Sequence, residues 1–221
     1  MDVVLANFPA YIDAFLTTLR LLVVAGLAAF IIGTVVAAMR VSPVAALRAV
    51  SATYTELIRN TPLTLVLFFC AAVVPNLFGT FGMSLNPYYL AAATVALAIY
   101  TSPFVAEALR SGINGVPVGQ AEAARSVGLG FGQTLTTVVL PQAFRMVVPP
   151  LINVVIALTK NTSVAAGFGV GELFLLGRRL ANANGNAVIP ILLGVVTFYL
   201  IITIPLGLIA NRIEKKVAVL R

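Results

Sequence analysis

Long apolar runs alternate with short basic stretches along this chain, and the length of each run limits what it can become. Residues 21–39 are free of charge between Arg20 and Arg40, close to the roughly 20 residues that cross a hydrocarbon core as a helix. The next charge-free run, 60–106, is far too long for one crossing, and Pro75, Asn76, Gly79, Gly82, Asn86 and Pro87 break it in the middle. It predicts two spans, 61–78 and 88–103. A fourth falls at 146–167, interrupted by Pro149, Pro150 and the polar cluster Lys160-Asn161-Thr162-Ser163. A fifth, 187–210, is apolar throughout and ends at Asn211-Arg212. The expected fold is all-α: a polytopic membrane protein of five transmembrane helices, with 1–221 as a single transmembrane domain.

Composition sharpens this and removes several classes of function. Hydrophobic residues make up 60% of the 221 positions and charged residues 10%, with a mean hydropathy of +1.05, which is outside the range of a soluble domain. The net charge of +7 comes from basic residues scattered singly between apolar runs. That pattern sets topology and does not favour nucleic acid. The chain has no histidine and one cysteine, Cys70, so His-based acid–base chemistry, Ser-His triads and an internal disulfide are excluded, and Cys70 reads as packing. No Gly-x-x-x-x-Gly-Lys-Ser/Thr loop occurs, so this chain does not hold ATP in the Walker manner. Asp2, Asp13 and the long run after Arg20 do not resemble a cleaved leader, and the N-terminus reads as staying attached.

Lys and Arg are retained on the cytoplasmic side of short loops. Arg40, Arg48 and Arg59 lie between spans one and two, Arg110, Arg125 and Arg145 between three and four, and Arg212, Lys215, Lys216 and Arg221 after five. These place the N-terminus outside and the C-terminus in the cytoplasm. Arg178 and Arg179 fall on the outer side and run against the rule.

The segment 116–141 is neither apolar enough to span nor polar enough to be disordered. Pro117 suits a first helical position, Glu122 lies near the start of the helix that follows, and Gly128, Gly130 and Gly132 favour a chain reversal before a second short helix over 133–139, stopped by Pro141. Ala121, Ala123 and Ala124 leave room for close approach of a partner. The segment reads as a docking knuckle.

The order Glu122-Ala123-Ala124, three residues, Gly128, nine residues, Val138, one residue, Leu140-Pro141 resembles the EAA loop of the membrane subunits of bacterial type I ABC importers. Val138 stands where isoleucine is usual. The resemblance implies that Glu122, Ala123, Ala124, Gly128, Leu140 and Pro141 form the coupling helix region, seated in a cleft of a cytoplasmic ATPase dimer. Ile58-Arg59-Asn60-Thr61-Pro62-Leu63 is similar to the Arg-Gly-Thr-Pro-Leu signature of the polar-amino-acid branch, with Asn60 in place of glycine. Glu107 to Ile113, Gln142 to Arg145, the Lys160 cluster and Gly169 to Leu173 extend the likeness over about 56–176. The end spans match only in character. The implied protein is a permease subunit in the bacterial cell membrane importing a polar amino acid, glutamate or glutamine. It is not an enzyme and needs no cofactor of its own, ATP and Mg belonging to the ATPase. Its other partners are a second permease subunit, a homologous sister more readily than a second copy, and an extracytoplasmic substrate-binding protein.

Lys160 falls roughly 20 Å along the fourth span at about 1.5 Å per residue, and an ionisable residue inside the membrane is a functional-site hypothesis. With Asn153, Asn161, Thr162 and Ser163 it is a candidate to line the pathway and meet a substrate carboxylate. Equally, it snorkels to headgroups or caps helical carbonyls, and the hydroxyls simply pack between helices. Arg59 reads as an anchor for span two, and Glu107 and Arg110 as an i, i+3 pair. Two rivals stand beside the importer reading. An ion-gradient-driven secondary amino-acid transporter would need acidic residues in a span or an inverted repeat, and neither is visible. A scaffold or membrane enzyme lacks the side chains for chemistry.

Overall fold

A chain this apolar must bond its main-chain groups to one another, and helices do so within one segment. The computed structural model describes residues 2–218; Arg221, counted above among the cytoplasmic basic residues, lies outside them. A short α1, Asp2–Ala6, leads into α2, Phe8–Arg40. After α3, Ala45–Asn60, comes α4, Leu63–Phe68, which continues through a π turn, Phe69–Val73, into α5, Val74–Phe78. Then follow α6 (Leu85–Asn114), α7 (Val118–Ser126) and α8 (Phe131–Thr134). A second π turn, Leu135–Val139, joins α8 to α9, Leu140–Asn161, which tightens into a 3₁₀ segment, Thr162–Phe168. α10, Leu173–Ala183, and the long α11, Val188–Ala218, complete the described chain.

Four helical stretches are long and apolar enough to span alone: Phe8–Arg40, Leu85–Asn114, Phe131–Phe168 and Gly185–Lys216. The pair Ala45–Asn60 and Leu63–Phe78 supplies a fifth candidate, bent by 100° at its break. α2 begins at Phe8 and not near residue 21, because one exposed arginine, Arg20, does not interrupt a helix that keeps it on the surface. α6 runs past the expected end at 103 to Asn114, and α11 past 210 to Ala218.

The prolines explain why these helices outlast their expected ends. Pro103 removes an N–H that would bond the Ile99 carbonyl. That carbonyl accepts instead from Tyr54 Oη at 3.2 Å and Ser102 Oγ at 3.0 Å, and Tyr54 Oη also lies 2.7 Å from Ser102 Oγ. Pro75, which follows the first π turn, frees the Cys70 carbonyl in the i−5 register, and Tyr88 Oη donates to it at 2.7 Å. Helices in lipid tolerate proline when a neighbouring side chain meets the freed group. Cys70 otherwise packs, half-buried, against the core.

α2 and α6 lie side by side and parallel, with Leu21, Leu22 and Ala25 packed in one core with Ala93, Ala96 and Leu97 of α6, Leu67 of α4 and Leu158 of α9. Close approach is made at small residues, as expected between membrane helices. A Cβ on Gly33 would sit 2.6 Å from the Ser102 carbonyl oxygen and 2.7 Å from Val105 Cβ. α3 is tied to the same end of the bundle by Ser51 Oγ, which donates to the Val36 carbonyl at 2.9 Å.

Gly33→Val should therefore overpack the α2–α6 crossing, where backbone rather than a movable side chain stands in the way, and destabilise the protein by about 1–3 kcal/mol. A lowered midpoint of unfolding in mixed detergent titrations checks this, with Gly207→Ala, which meets nothing within 4 Å, as the control.

Candidate functional site: a surface knuckle and a pocket between two helices

Between α6 and α9 the chain leaves the bundle and returns. Pro117 is the residue just before α7 (φ −59°, ψ 132°), one position earlier than expected. α7 closes with two bonds: Gly128 N–H donates to the Arg125 carbonyl at 3.0 Å and Leu129 N–H to the Ala124 carbonyl at 3.2 Å. This is a Schellman close, and it requires the left-handed backbone that Gly128 supplies at φ +91°. Gln133 Oε1 then accepts from Gly130 N–H at 3.0 Å, starting α8.

Of the residues expected here, Ala124 is buried against the returning strand of the knuckle, while Glu122, Ala123, Gly128, Leu140 and Pro141 are exposed. Pro141 does not stop the second helix as expected. The π turn before it admits an extra residue and shifts the carbonyl register that a proline ring would meet in an α-helix, so the chain runs on into α9 with Pro141 in its first turn. The knuckle also leaves Val118, Val127 and Phe131 at 72%, 77% and 76% exposure, large apolar side chains of the kind a partner covers.

The second region lies between α6 and α9. Asn153, which is exposed, and Asn161, two turns on along α9, line a half-open, mostly apolar pocket of about 400 Å³ with Tyr100, Thr101 and Phe104 of α6, within the range of small-molecule pockets. Thr101 Oγ1 is buried there without a hydrogen-bond partner. The Arg59 guanidinium stands 5.7 Å from the centre of the Phe104 ring, close enough for a cation–π contact. The structure thus brings Asn153 and Asn161 together but leaves the rest of the cluster outside the cavity wall. Lys160 is exposed, Thr162 is buried with its hydroxyl on the Thr159 carbonyl at 2.7 Å, and Ser163 Oγ donates to the Lys160 carbonyl at 2.7 Å. Tyr100, Thr101 and Phe104 were missed by sequence reasoning; the signal was Pro103, whose place in a helix interior marks an irregular stretch of α6. Glu107 and Arg110 do form the expected pair, at 2.9 Å.

A buried carboxylate fixes the segment beyond the cluster. Glu172 is fully buried and accepts from Phe174 N–H at 3.0 Å, Leu175 N–H at 2.8 Å and Tyr199 Oη at 2.7 Å. It caps α10 and ties it to α11. Thr18 Oγ1 of α2 accepts from Leu173 N–H at 3.3 Å.

A helical bundle of four or five apolar candidate spans, interrupted by an exposed knuckle, fits a membrane transport subunit. Residues 8–218 match the family described as binding-protein-dependent transport system inner membrane component, and the chain belongs to it. It is 42% identical to the glutamate transport system permease protein of Corynebacterium glutamicum, over 96% of this chain and 95% of that one. To the probable glutamine ABC transporter permease protein of Bacillus subtilis it is 38% identical, over 98% and 97%. Among solved structures, an amino acid ABC transporter crystallised with histidines superposes with a TM-score of 0.83 at 27% identity, over 96% of each chain. A methionine ABC transporter in an inward-facing conformation shares the fold, with a TM-score of 0.73 at 22% identity. The type I importer permease fold is thereby shown, and with it a transport rather than an enzymatic role.

Glu172→Ala orphans two buried N–H groups and the Tyr199 hydroxyl, at a cost of about 1–3 kcal/mol. Hydrogen–deuterium exchange should show α10 amides opening faster in Glu172→Ala, and less so in Glu172→Gln, while α2 and α6 keep their protection.

Proposed function

We propose that the chain is the permease subunit of an ATP-driven importer of polar amino acids, with glutamate or glutamine as substrate. The observation that carries this reading is the knuckle: an exposed α7 closed by Gly128 that reverses into α8, which runs on through the π turn into the helix that lines the Asn153–Asn161 pocket. The glutamate and glutamine transport named for the relatives supports the substrate class. In this reading Glu122, Ala123, Ala124, Gly128, Leu140 and Pro141 form the seat for a cytoplasmic ATPase dimer. ATP and Mg bind on that partner and supply the energy. A second permease, more readily a homologous sister than a copy, completes the pathway, and an extracytoplasmic binding protein delivers substrate. The N-terminus lies outside and the C-terminus in the cytoplasm, with membrane spans at about 21–39, 61–78, 88–103, 146–167 and 187–210 inside the longer helices.

Asn153 and Asn161 offer amide donors and acceptors in the cavity, and Lys160 supplies positive charge nearby. Leu158 Cδ2 stands 3.5 Å from where a Cβ on Gly26 would lie, which puts Lys160 near the outer end of the 21–39 span. An exposed ammonium there reaches the headgroups or faces the second subunit or a water-filled path; in this reading it faces the path, where a substrate carboxylate stabilises it. Thr162 and Ser163 close the end of α9 and hold Lys160 in place. Closure of the ATPases would move α7, and α9 would carry that motion to the cavity.

Reconstituted with its partners, the system should take up glutamate or glutamine only with ATP and continue after ion gradients are collapsed; uptake that follows a gradient without ATP would favour the secondary transporter. Gly128→Val should lower amino acid moved per ATP hydrolysed by at least about tenfold, since a β-branched residue resists positive φ, whereas Gly128→Asn should keep most of it. Normal coupling in Gly128→Val would remove the elbow from the mechanism. Lys160→Gln should raise the KM for glutamate about tenfold, equivalent to about 1.4 kcal/mol, and change glutamine uptake less. An equal effect on both would leave Lys160 a structural role.

A further inference from the structure

α3 does not follow the direction of the helix after it. The break between Ala45–Asn60 and Leu63–Phe78 bends the chain by 100°, so α3 lies crosswise to α4 and α5. Three contacts fasten its side to the bundle. Ser51 Oγ donates to the Val36 carbonyl of α2 at 2.9 Å, Tyr54 Oη donates to the Ile99 carbonyl of α6 at 3.2 Å, and the Arg59 guanidinium stands 5.7 Å from the centre of the Phe104 ring.

These contacts set the depth of α3. Val36 comes three residues before the end of the charge-free run 21–39, about 4.5 Å inside it at about 1.5 Å per residue. α3 is thus level with the last apolar turn of α2 and not beyond it. The stretch after the bend agrees. Leu63–Phe78 is about 24 Å long at the same rise, short of a hydrocarbon core of about 30 Å, and a short span draws its flanking residues toward the apolar layer. The knuckle stands at another level: α6 continues from Ile99 to Asn114 before α7 begins, roughly 22 Å further along its axis.

The side chains of α3 sort into three faces. At about 100° per residue, Leu47, Val50, Tyr54 and Leu57 share one stripe, on which Leu47, Val50 and Leu57 are exposed. Ser51 and Thr55, both buried, meet the bundle on the flank of that stripe. Arg48, Ala49, Glu56 and Arg59, all exposed, lie on the remaining side. A narrow apolar stripe opposite a charged face, on a crosswise helix at the edge of the apolar layer, fits the boundary between acyl chains and headgroups. We infer that α3 is a membrane-surface helix that binds phospholipid through Leu47, Val50 and Leu57 and turns its charged face to headgroups and water. Tyr54 and Arg59 of the same helix touch α6 at Ile99 and Phe104, so α3 links the leaflet to the wall of the Asn153–Asn161 pocket. This goes beyond the permease reading and does not depend on it.

The chain contains no tryptophan, so a single one placed on α3 reports its own surroundings. Leu47→Trp, Val50→Trp and Leu57→Trp, each in the full-length chain in nanodiscs, should be quenched by lipids brominated about 5–10 Å below the headgroups and little by acrylamide. Ala49→Trp and Glu56→Trp should show the reverse. Acrylamide quenching of all five positions alike overturns the proposal. So does lipid quenching that disappears when the complete transporter is assembled, which makes the stripe a contact with the second permease. Val50→Cys in a Cys70→Ala chain repeats the reading with a small side chain: a membrane-permeant maleimide should label it faster than a charged one, and equal rates count against the lipid contact. Neither readout needs transport. A chain that moves nothing with ATP but keeps this quenching pattern removes the permease reading alone; ATP-driven uptake with acrylamide quenching along the stripe removes the surface helix alone.

Discussion

Every main-chain carbonyl in the apolar layer needs a donor, and this requirement organises the bundle more than any apolar contact does. Prolines in membrane helices create carbonyls without one. At Ile99 and Cys70 the donor is a tyrosine hydroxyl from another helix, Tyr54 of α3 and Tyr88 of α6. Each rescue is also a tertiary contact, so the position of α3 against α6, and of α6 against the α4–α5 stretch, follows from backbone that proline left unsatisfied. The pocket between α6 and α9 opens beside one of these places: Thr101, whose buried hydroxyl has no partner, adjoins Ser102 and Pro103 and lines that pocket with Asn153 and Asn161. Irregular backbone and the candidate binding wall are neighbours on α6.

The two ends of the molecule have different mechanics. At the knuckle, the Schellman close ends α7 and the π turn carries α8 straight into α9. At the other end, Glu172 gathers α10 and α11 around one buried carboxylate, with Thr18 of α2 bonded beside it. The 3₁₀ segment, with Gly169 in a left-handed conformation after it, lies between them.

Much of this was legible beforehand. Charge-free runs fall within the four long apolar helices and the bent α3–α5 pair, and the spacing of Glu122, Gly128 and Leu140-Pro141 points to both the knuckle and the family. What periodicity and charge missed were boundaries and depth. A charge in a span is costly, which makes Arg20 look like an edge, but a long helix keeps such a residue at its surface. The rule that proline stops a helix assumes α-helical register, and the π turn before Pro141 changes that register. Lys160 and Asn161 are neighbours in sequence but face different ways on the helix, so only the folded chain shows that Asn161 joins Asn153 while Lys160 does not.

The unbroken path from Phe131 to Asn161 has one more consequence. Each helical residue turns the chain by about 100°, so the direction in which Asn153 and Asn161 point is set in phase with the knuckle, as teeth on one shaft. Inserting or deleting a single residue between Pro141 and Asn153 would leave both ends folded and yet rotate the amides out of the cavity. The length of this stretch is thus under tighter constraint than its composition, and substitutions along it cost less than any change in count.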